Sequence, residues 1–293
     1  MMDLDARRLR VLHTVALRGS VTAAAATMCV SPSAISQQLA QLEREAGCDL
    51  VERAGRGITL TAAGQALARH AEDVIHALDR AADAVAIAQR GVSGTVHVGT
   101  LPSAGGAILA PAAARAHAKH PGLDVRIRES EDDASLIDLR LTALDMVIMQ
   151  EYTHVPVAMP AGVVAHPIAD QPLYLVTPPR LAGVRTVAEL SGEPWIAAGP
   201  ATPCGRSTRQ ACRDAGFEPD VRHIALDFAF QLDLVAAGLG VALVPELGLR
   251  HVPEGIRTRP TSIRRKIFAV VRETGVGAPR PAVTALLAEL LAG

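Results

Sequence analysis

Chemistry in this chain has few residues to draw on. Its four cysteines, Cys29, Cys48, Cys204 and Cys212, form no C-x-x-C pair, so neither a zinc knuckle nor a disulfide framework is expected and they read as free, mostly buried thiols. The ten histidines show no metal-ligand spacing beside an acidic cluster, and G-x-x-x-x-G-K-[ST], G-x-S-x-G and H-E-x-x-H are all missing. No catalytic set, no metal site and no cofactor is therefore expected. What remains is hydrogen bonding. Ser33, Ser36, Gln37 and Gln41 share one side of a helical pattern whose other side carries Ile35, Leu39 and Leu42. A short, polar, uncharged row suits base edges in a major groove, and Gln37 or Gln38 has the amide needed to pair with adenine. The alternative is the ordinary solvated face of a helical hairpin.

The elements that would position this row are legible around it. Leu9, Val11, Leu12, Val15 and Ala16 recur at helical spacing up to the break at Gly19-Ser20, and a second, alanine-rich helix runs from Thr22 to Met28. Ser31 then offers an N-capping hydroxyl and Pro32 a first helical position, so a third helix starts there. Two helices joined by a short turn, the second with polar groups near its start, form a helix-turn-helix. The stretch from Leu50 to Thr61 comes next as two β-prone segments around Gly55-Arg56-Gly57, a basic wing. Arg53 and Arg56 there, with Arg7, Arg8 and Arg10, are candidates for phosphate or minor-groove contact; for each alone the alternative is a solvated surface charge.

Composition sets the frame. With 293 residues, 49% hydrophobic and 20% charged, the chain can bury more than one core. Its 29 basic and 30 acidic residues give no global nucleic-acid signature, so any DNA contact rests on a small, local surface. No run of about 18 apolar residues occurs, and acids stand where a signal peptide would be basic, so a cytoplasmic protein with no membrane partner is expected.

Taken in order, these motifs resemble the LysR-type transcriptional regulators. The resemblance is carried by Gly19 to Ala25, Val30 to Leu39, Leu42-Glu43 and Leu60 to Gly64, and more loosely by Gly94 to Gly99, Leu144 to Ile148 and Val235 to Pro245, so it spans essentially the whole chain. It implies base-reading roles for Pro32, Ser33, Ser36 and Gln37, with Gln38 beside them, and wing contacts at Arg53 and Arg56. Val51 stands where the family usually has an aromatic, Ala62 near a frequent proline, and Gln37 where many members have arginine; these departures bear on the operator sequence.

Between wing and Gly91 runs a breaker-free helical pattern. Leu67, Val74, Ala81 and Ala88 form one seven-residue row and Ala71, Leu78 and Val85 a second, which makes a seam for a partner helix. A homodimer is expected here, and the resemblance implies association to a homotetramer on a double-stranded operator. Beyond Gly91 strands alternate with helices in two sets, predicting an α/β architecture with largely parallel strands and two lobes, similar to a periplasmic binding protein. The expected division is a winged helix-turn-helix over 1–62, a linker helix over 63–91 and an effector-binding domain over 92–293, with lobe I at about 92–165 and 268–293 and lobe II at about 166–267. Crossings between lobes are expected near His166-Pro167 and from Arg264 to Phe268.

Ligands of α/β folds lie at the C-terminal ends of strands. Thr100, Pro102 and Ser103 come after the first strand of lobe I, and Thr202, Pro203 and Cys204 after a strand of lobe II; helix capping alone is the competing role of these hydroxyls. Gln150, Phe228 and Val244 are added by analogy with the family. Only 2% of residues are aromatic, which favours a small polar or carboxylate-bearing effector. Two other functions compete. Cys204 and Cys212 fall in the region where peroxide-sensing relatives carry two reactive cysteines, but with a spacing one residue shorter, and eight residues along one helix is about 12 Å. A metabolite-binding protein or enzyme without a DNA role would leave the first sixty residues without a purpose.

Overall fold

The computed structural model describes residues 4–54, 57–130, 132–273 and 280–293. Asp5 caps α1 (Ala6–Arg18) by accepting from the amides of Arg7 and Arg8, and Gly19, at φ 72°, ends it by returning its N–H to Val15. Ser20 caps α2 (Val21–Met28), and a three-residue turn leads to α3 (Pro32–Ala46), where Ser31 accepts from the amide of Ala34 and Pro32 opens the helix as the sequence predicts. The wing is a hairpin of β1 (Val51–Ala54) and β2 (Gly57–Leu60), pinned to α3 because Glu43 Oε1 accepts from the amides of Leu50 and Val51. Leu9, Leu12, Val15, Ile35, Leu39, Leu42 and Leu50 close one core, which Ala68 and Ala71 of α4 (Ala62–Arg90) complete. Truncating any of these leucines to alanine would cost about 2–5 kcal/mol. Gly64 explains how α4 fits so tightly: a Cβ there would stand 2.0 Å from the carbonyl oxygen of Leu50.

The 29 residues of α4 extend about 43 Å. Its first half packs on α1. Further along, Val74, Leu78 and Val85 are 39%, 48% and 60% exposed while Ile75 is buried, so the predicted seam lies open from Val74 onward, whereas its first members, Leu67 and Ala71, pack into the helix-turn-helix core.

The rest of the chain contains β3 (Gly94–Thr100), α5 (Pro102–Ala104), a π-turn (Gly105–Leu109), α6 (Ala110–Lys119), β4 (Leu123–Glu129), α7 (Asp132–Arg140) and β5 (Met146–Tyr152). Then come β6 (Val163–Thr177), β7 (Pro194–Ala197), α8 (Pro203–Asp214), β8 (Asp220–Ile224), α9 (Phe228–Ala236), β9 (Ala242–Pro245), β10 (Arg257–Arg272) and α10 (Pro281–Leu291). A six-stranded sheet has the order β4-β3-β5-β10-β6-β9, and β7 and β8 pair separately. The expectation of largely parallel strands is corrected here. β3 runs parallel to β4 and β5, but the pairings of β5 with β10, β10 with β6 and β6 with β9 are antiparallel. The βα alternation that predicted parallel strands holds within each set, and β7 runs parallel to β8, but the two long strands β6 and β10 that join the sets travel side by side in antiparallel pairings.

Those two strands are the crossings. Along them the register shifts between Pro260 and Arg264 and between Ile267 and Phe268, on either side of Arg265. One pair of cores lies at the β3/β4 end, built on Val96, Leu109, Ile148 and Leu286 and on Leu139, Val147 and Val270, and another lies at the β7/β9 end around Trp195, Leu243, Ile196 and Leu232. Two lobes thus share two strands. Among the described residues no helix is long and apolar enough to cross a membrane.

Candidate functional site

On α3 the apolar stripe Ile35, Leu39 and Leu42 is buried, which turns Pro32, Ser33, Ser36, Gln37 and Gln38 outward, all exposed. Ser33 Oγ lies 2.9 Å from Ser31 Oγ, and Ser36 donates to the carbonyl of Pro32 at 3.1 Å, so both hydroxyls are held close to the helix with lone pairs still open. Among the described residues neither Gln37 nor Gln38 has a hydrogen-bond partner in the chain, whereas Gln41 accepts from Arg44 and donates to Glu45. The two free amides stand in the row; Gln41 is engaged. Arg53 lies on β1 opposite Ile58, and Arg56 falls outside the described residues. Arg7 is exposed, but Arg8 pairs with Glu45, and Arg10 donates to Thr142 Oγ1 at 3.0 Å, so these two already have partners inside the molecule.

Between the lobes lies a cavity of about 690 Å³. Of the residues the sequence nominated, Pro102, Ser103, Gln150, Thr202, Pro203, Cys204 and Phe228 line it. Two do not. Thr100 is buried with its hydroxyl donating to the carbonyl of Leu101, and Val244 is fully buried against Val176, Ile196 and Leu232. Thr202 both caps α8, accepting from Gly205 N at 3.1 Å, and donates to Gly199 O at 2.7 Å. Its capping role is real, and it sits at the cavity edge as well.

The sequence reading missed Glu129, Ser130, Asp227, Arg250 and His251 along the walls. Ser130 comes after β4 as Leu101 does after β3, so the rule that ligands lie beyond strand ends would have found it. It also missed the residue behind the wall. Arg265 is fully buried, and its Nη1 donates to Ser103 Oγ at 3.1 Å and to Gln150 Oε1 at 3.3 Å, while its guanidinium lies 5.9 Å from the ring centre of Phe228. Tyr152 donates to the same Gln150 oxygen at 3.1 Å. Arginine has only donors, so it fixes which end of the Gln150 amide it meets. The Gln150 oxygen is engaged by two donors, so this side chain has its amide NH₂ left to offer, while Ser103 keeps its hydroxyl hydrogen and one lone pair.

Cys204 is buried at the cavity wall, and Cys212 is buried on the same helix in the Trp195 core. Burial raises the Cys204 thiol pKa, against smaller opposing effects of Tyr152 and Arg265, and burial pushes Cys212 up to about 12. Both are poor thiolates at neutral pH.

Comparison with known proteins bears on both surfaces. Residues 6–65 match the model of the bacterial regulatory helix-turn-helix protein, lysR family, and residues 89–293 match the LysR substrate binding domain. A probable hydrogen peroxide-inducible genes activator of Mycobacterium avium is 32% identical over 246 residues, 81% of this chain and 76% of that protein. The HTH-type transcriptional activator IlvY of Salmonella typhimurium is 25% identical over 289 residues, 94% of each chain. Among solved structures, a full-length OxyR variant from Pseudomonas aeruginosa superposes with TM-score 0.65 at 23% identity, covering 99% of this chain and 98% of that one. Full-length CbnR complexed with its target DNA gives TM-score 0.55 at 22% identity, with 98% of both chains covered. At such identities the two structures speak for the fold.

Proposed function

The chain belongs to the LysR family of bacterial DNA-binding transcriptional regulators, with a helix-turn-helix and an effector-binding domain, and on that basis we propose that α3 reads its operator while the cavity between the lobes takes a small, acceptor-rich anion such as a carboxylate. The observation that carries the effector class lies behind the cavity wall, where buried Arg265, with Tyr152, engages the oxygen of Gln150 and leaves its NH₂ donor for a ligand, beside the Ser103 hydroxyl. Pro32, Ser33, Ser36, Gln37 and Gln38 are the residues proposed to face base pairs, with Arg53 and Arg56 of the wing on the backbone. The proposed division is 1–62 for the DNA-binding unit, 63–91 for the linker and 92–293 for the sensing unit. The exposed Val74, Leu78 and Val85 seam of α4 supports a homodimer, which can associate further to a tetramer. Its site of action is the cytoplasm, where the operator is, and the cavity is assigned binding rather than turnover.

A gel-shift titration of the full chain against the DNA upstream of its own gene, with random duplex as competitor at two salt concentrations, tests the DNA assignment. A competitor-resistant shift lost on deleting residues 1–62 supports it; loss of the shift to equimolar random duplex overturns it. A thiol-responsive regulator is the second reading, favoured by the place of Cys204 at the cavity wall and by relatives named for peroxide-inducible genes. The raised thiol pKa values of Cys204 and Cys212 weigh against it.

A further inference from the structure

One helix reaches from the cavity to the DNA-binding unit. At its beginning, Ser135 Oγ lies 2.6 Å from Ser130 Oγ, and Ser130 lines the cavity. Five residues later, about 7.5 Å along the axis, the far end of α7 meets α1 and α4. There Asp138 pairs with Arg18, the Arg140 guanidinium pairs with Glu72 at 2.9 Å, and the Arg140 carbonyl lies 3.2 Å from His13 Nε2. The other nitrogen of that ring lies 3.3 Å from the carbonyl of Ala68, so buried His13 stands between sensing unit and linker. Arg10 adds its bond to Thr142.

Two features mark this junction as more than casual surface contact. Thr142 has φ 59°, a left-handed conformation that a β-branched residue adopts at a cost, at the very residue that Arg10 engages. The turn containing it is braced from within the lobe by Arg272, whose Nη1 donates to the carbonyls of Leu139 and Leu144. The junction is half-buried rather than open: Asp138 is 13% and Glu72 14% exposed.

We propose that α7 is the lever by which cavity occupancy controls the DNA-binding unit. The Arg18–Asp138 and His13–Arg140 contacts, with Glu72–Arg140 on α4, form a latch that fixes α1 and the start of α4 against lobe I. A ligand that engages Ser130 Oγ withdraws this hydroxyl from Ser135, loosens the beginning of α7 and weakens the latch at its other end. The inference rests on the assignment of the cavity as the effector site, but its core, mechanical coupling of Ser135 to α1, does not require the effector to be known.

The test is hydrogen exchange on the full-length protein, tracking the protected amides of α1. Arg18→Gln and Asp138→Asn remove the latch at partly exposed positions, Ser135→Ala cuts the link at the cavity end, and Arg213→Gln, which breaks an exposed ion pair with Glu218 in lobe II, is the control. The expected result is that the first three raise α1 exchange by at least about threefold while the control leaves it unchanged. If Ser135→Ala does not fold, Ser130→Ala removes the same bond from its less buried side. Unchanged α1 exchange in the latch variants overturns the latch. Faster exchange in those variants but wild-type exchange in the serine variants overturns the lever. A failed gel shift alongside coupled exchange would instead count against the DNA assignment.

Discussion

Arg265 Nη1 stands 3.3 Å from Gln150 Oε1, so a buried cation decides which end of a cavity-lining amide is left for a ligand. Without Arg265 the Gln150 amide could turn either way; with it, the oxygen is held by two donors, Arg265 and Tyr152.

Gln150→Glu keeps the shape of the side chain and replaces the NH₂ donor by an acceptor. In a thermal-shift screen of small carboxylates and their neutral amides, the wild type is expected to be stabilised by carboxylates and the variant to lose that response, binding its best carboxylate at least about tenfold more weakly, or about 1.4 kcal/mol. Equal stabilisation of wild type and variant by the same carboxylate would remove Gln150 from the site.

Gln37→Ala is expected to weaken operator binding by about 1–3 kcal/mol and to leave random duplex nearly unaffected. Arg53→Ala should act differently, weakening all sequences alike and lowering the salt slope by about one. Equal losses on operator and random DNA for Gln37→Ala would show that this amide does not read bases.

The open seam of α4 predicts that Leu78→Glu, at a position 48% exposed in the single chain, lowers the oligomeric state measured by sedimentation and weakens operator binding. Arg69→Glu, an exposed position off both heptad rows, should sediment as wild type. An unchanged sedimentation profile for Leu78→Glu would place the dimer contact elsewhere.

Burial raises the Cys212 pKa from 9.0 to about 12, so the folded state holds this proton where the unfolded chain releases it. The contribution of Cys212 to stability is therefore complete below pH 9 and is lost, by at most about 1.4 kcal/mol per pH unit, as pH rises toward 12. Urea unfolding at pH 8 and pH 10 should show a shallower alkaline loss for Cys212→Ala than for the wild type. Treatment with iodoacetamide at pH 7 should label the exposed Cys29 and Cys48 before either buried thiol. Rapid labelling of Cys204 with loss of operator response would favour the thiol reading.

Local signals carry the DNA-binding unit almost whole. Ser31 and Pro32 mark a helix start wherever they stand before an apolar stripe, and Gly19 marks a stop, so caps and periodicity suffice. The long strands are less legible. β6 has no buried residue among its first eight and contains Pro167 and Pro172, so only its buried end from Leu173 is expected as strand. Its partner in β10 lies about ninety residues away, and no local pattern reports such a pairing. The same holds for Arg265. It sits in the basic run Arg264-Arg265-Lys266, where sequence makes three equivalent surface charges, and only the packed sheet shows the middle one fully buried against the cavity residues Ser103 and Gln150. Thr100, nominated as the start of the loop after the first strand, and Val244, placed by analogy, belong to neighbouring packing: Thr100 is still the last residue of β3 with its hydroxyl turned to Leu101, and Val244 is enclosed by Val176, Ile196 and Leu232.

Because β10 lies between β5 and β6 in the six-stranded order yet is the last of that sheet's strands in sequence among the described residues, the sheet stays split until residues 257–272 have been synthesised. The helix-turn-helix core needs nothing beyond Ala71. A nascent chain on the ribosome thus acquires its DNA-binding surface long before its sensing sheet can close, and a truncation after α4 but before β10 would release the helix-turn-helix without a closed sensing sheet to govern it.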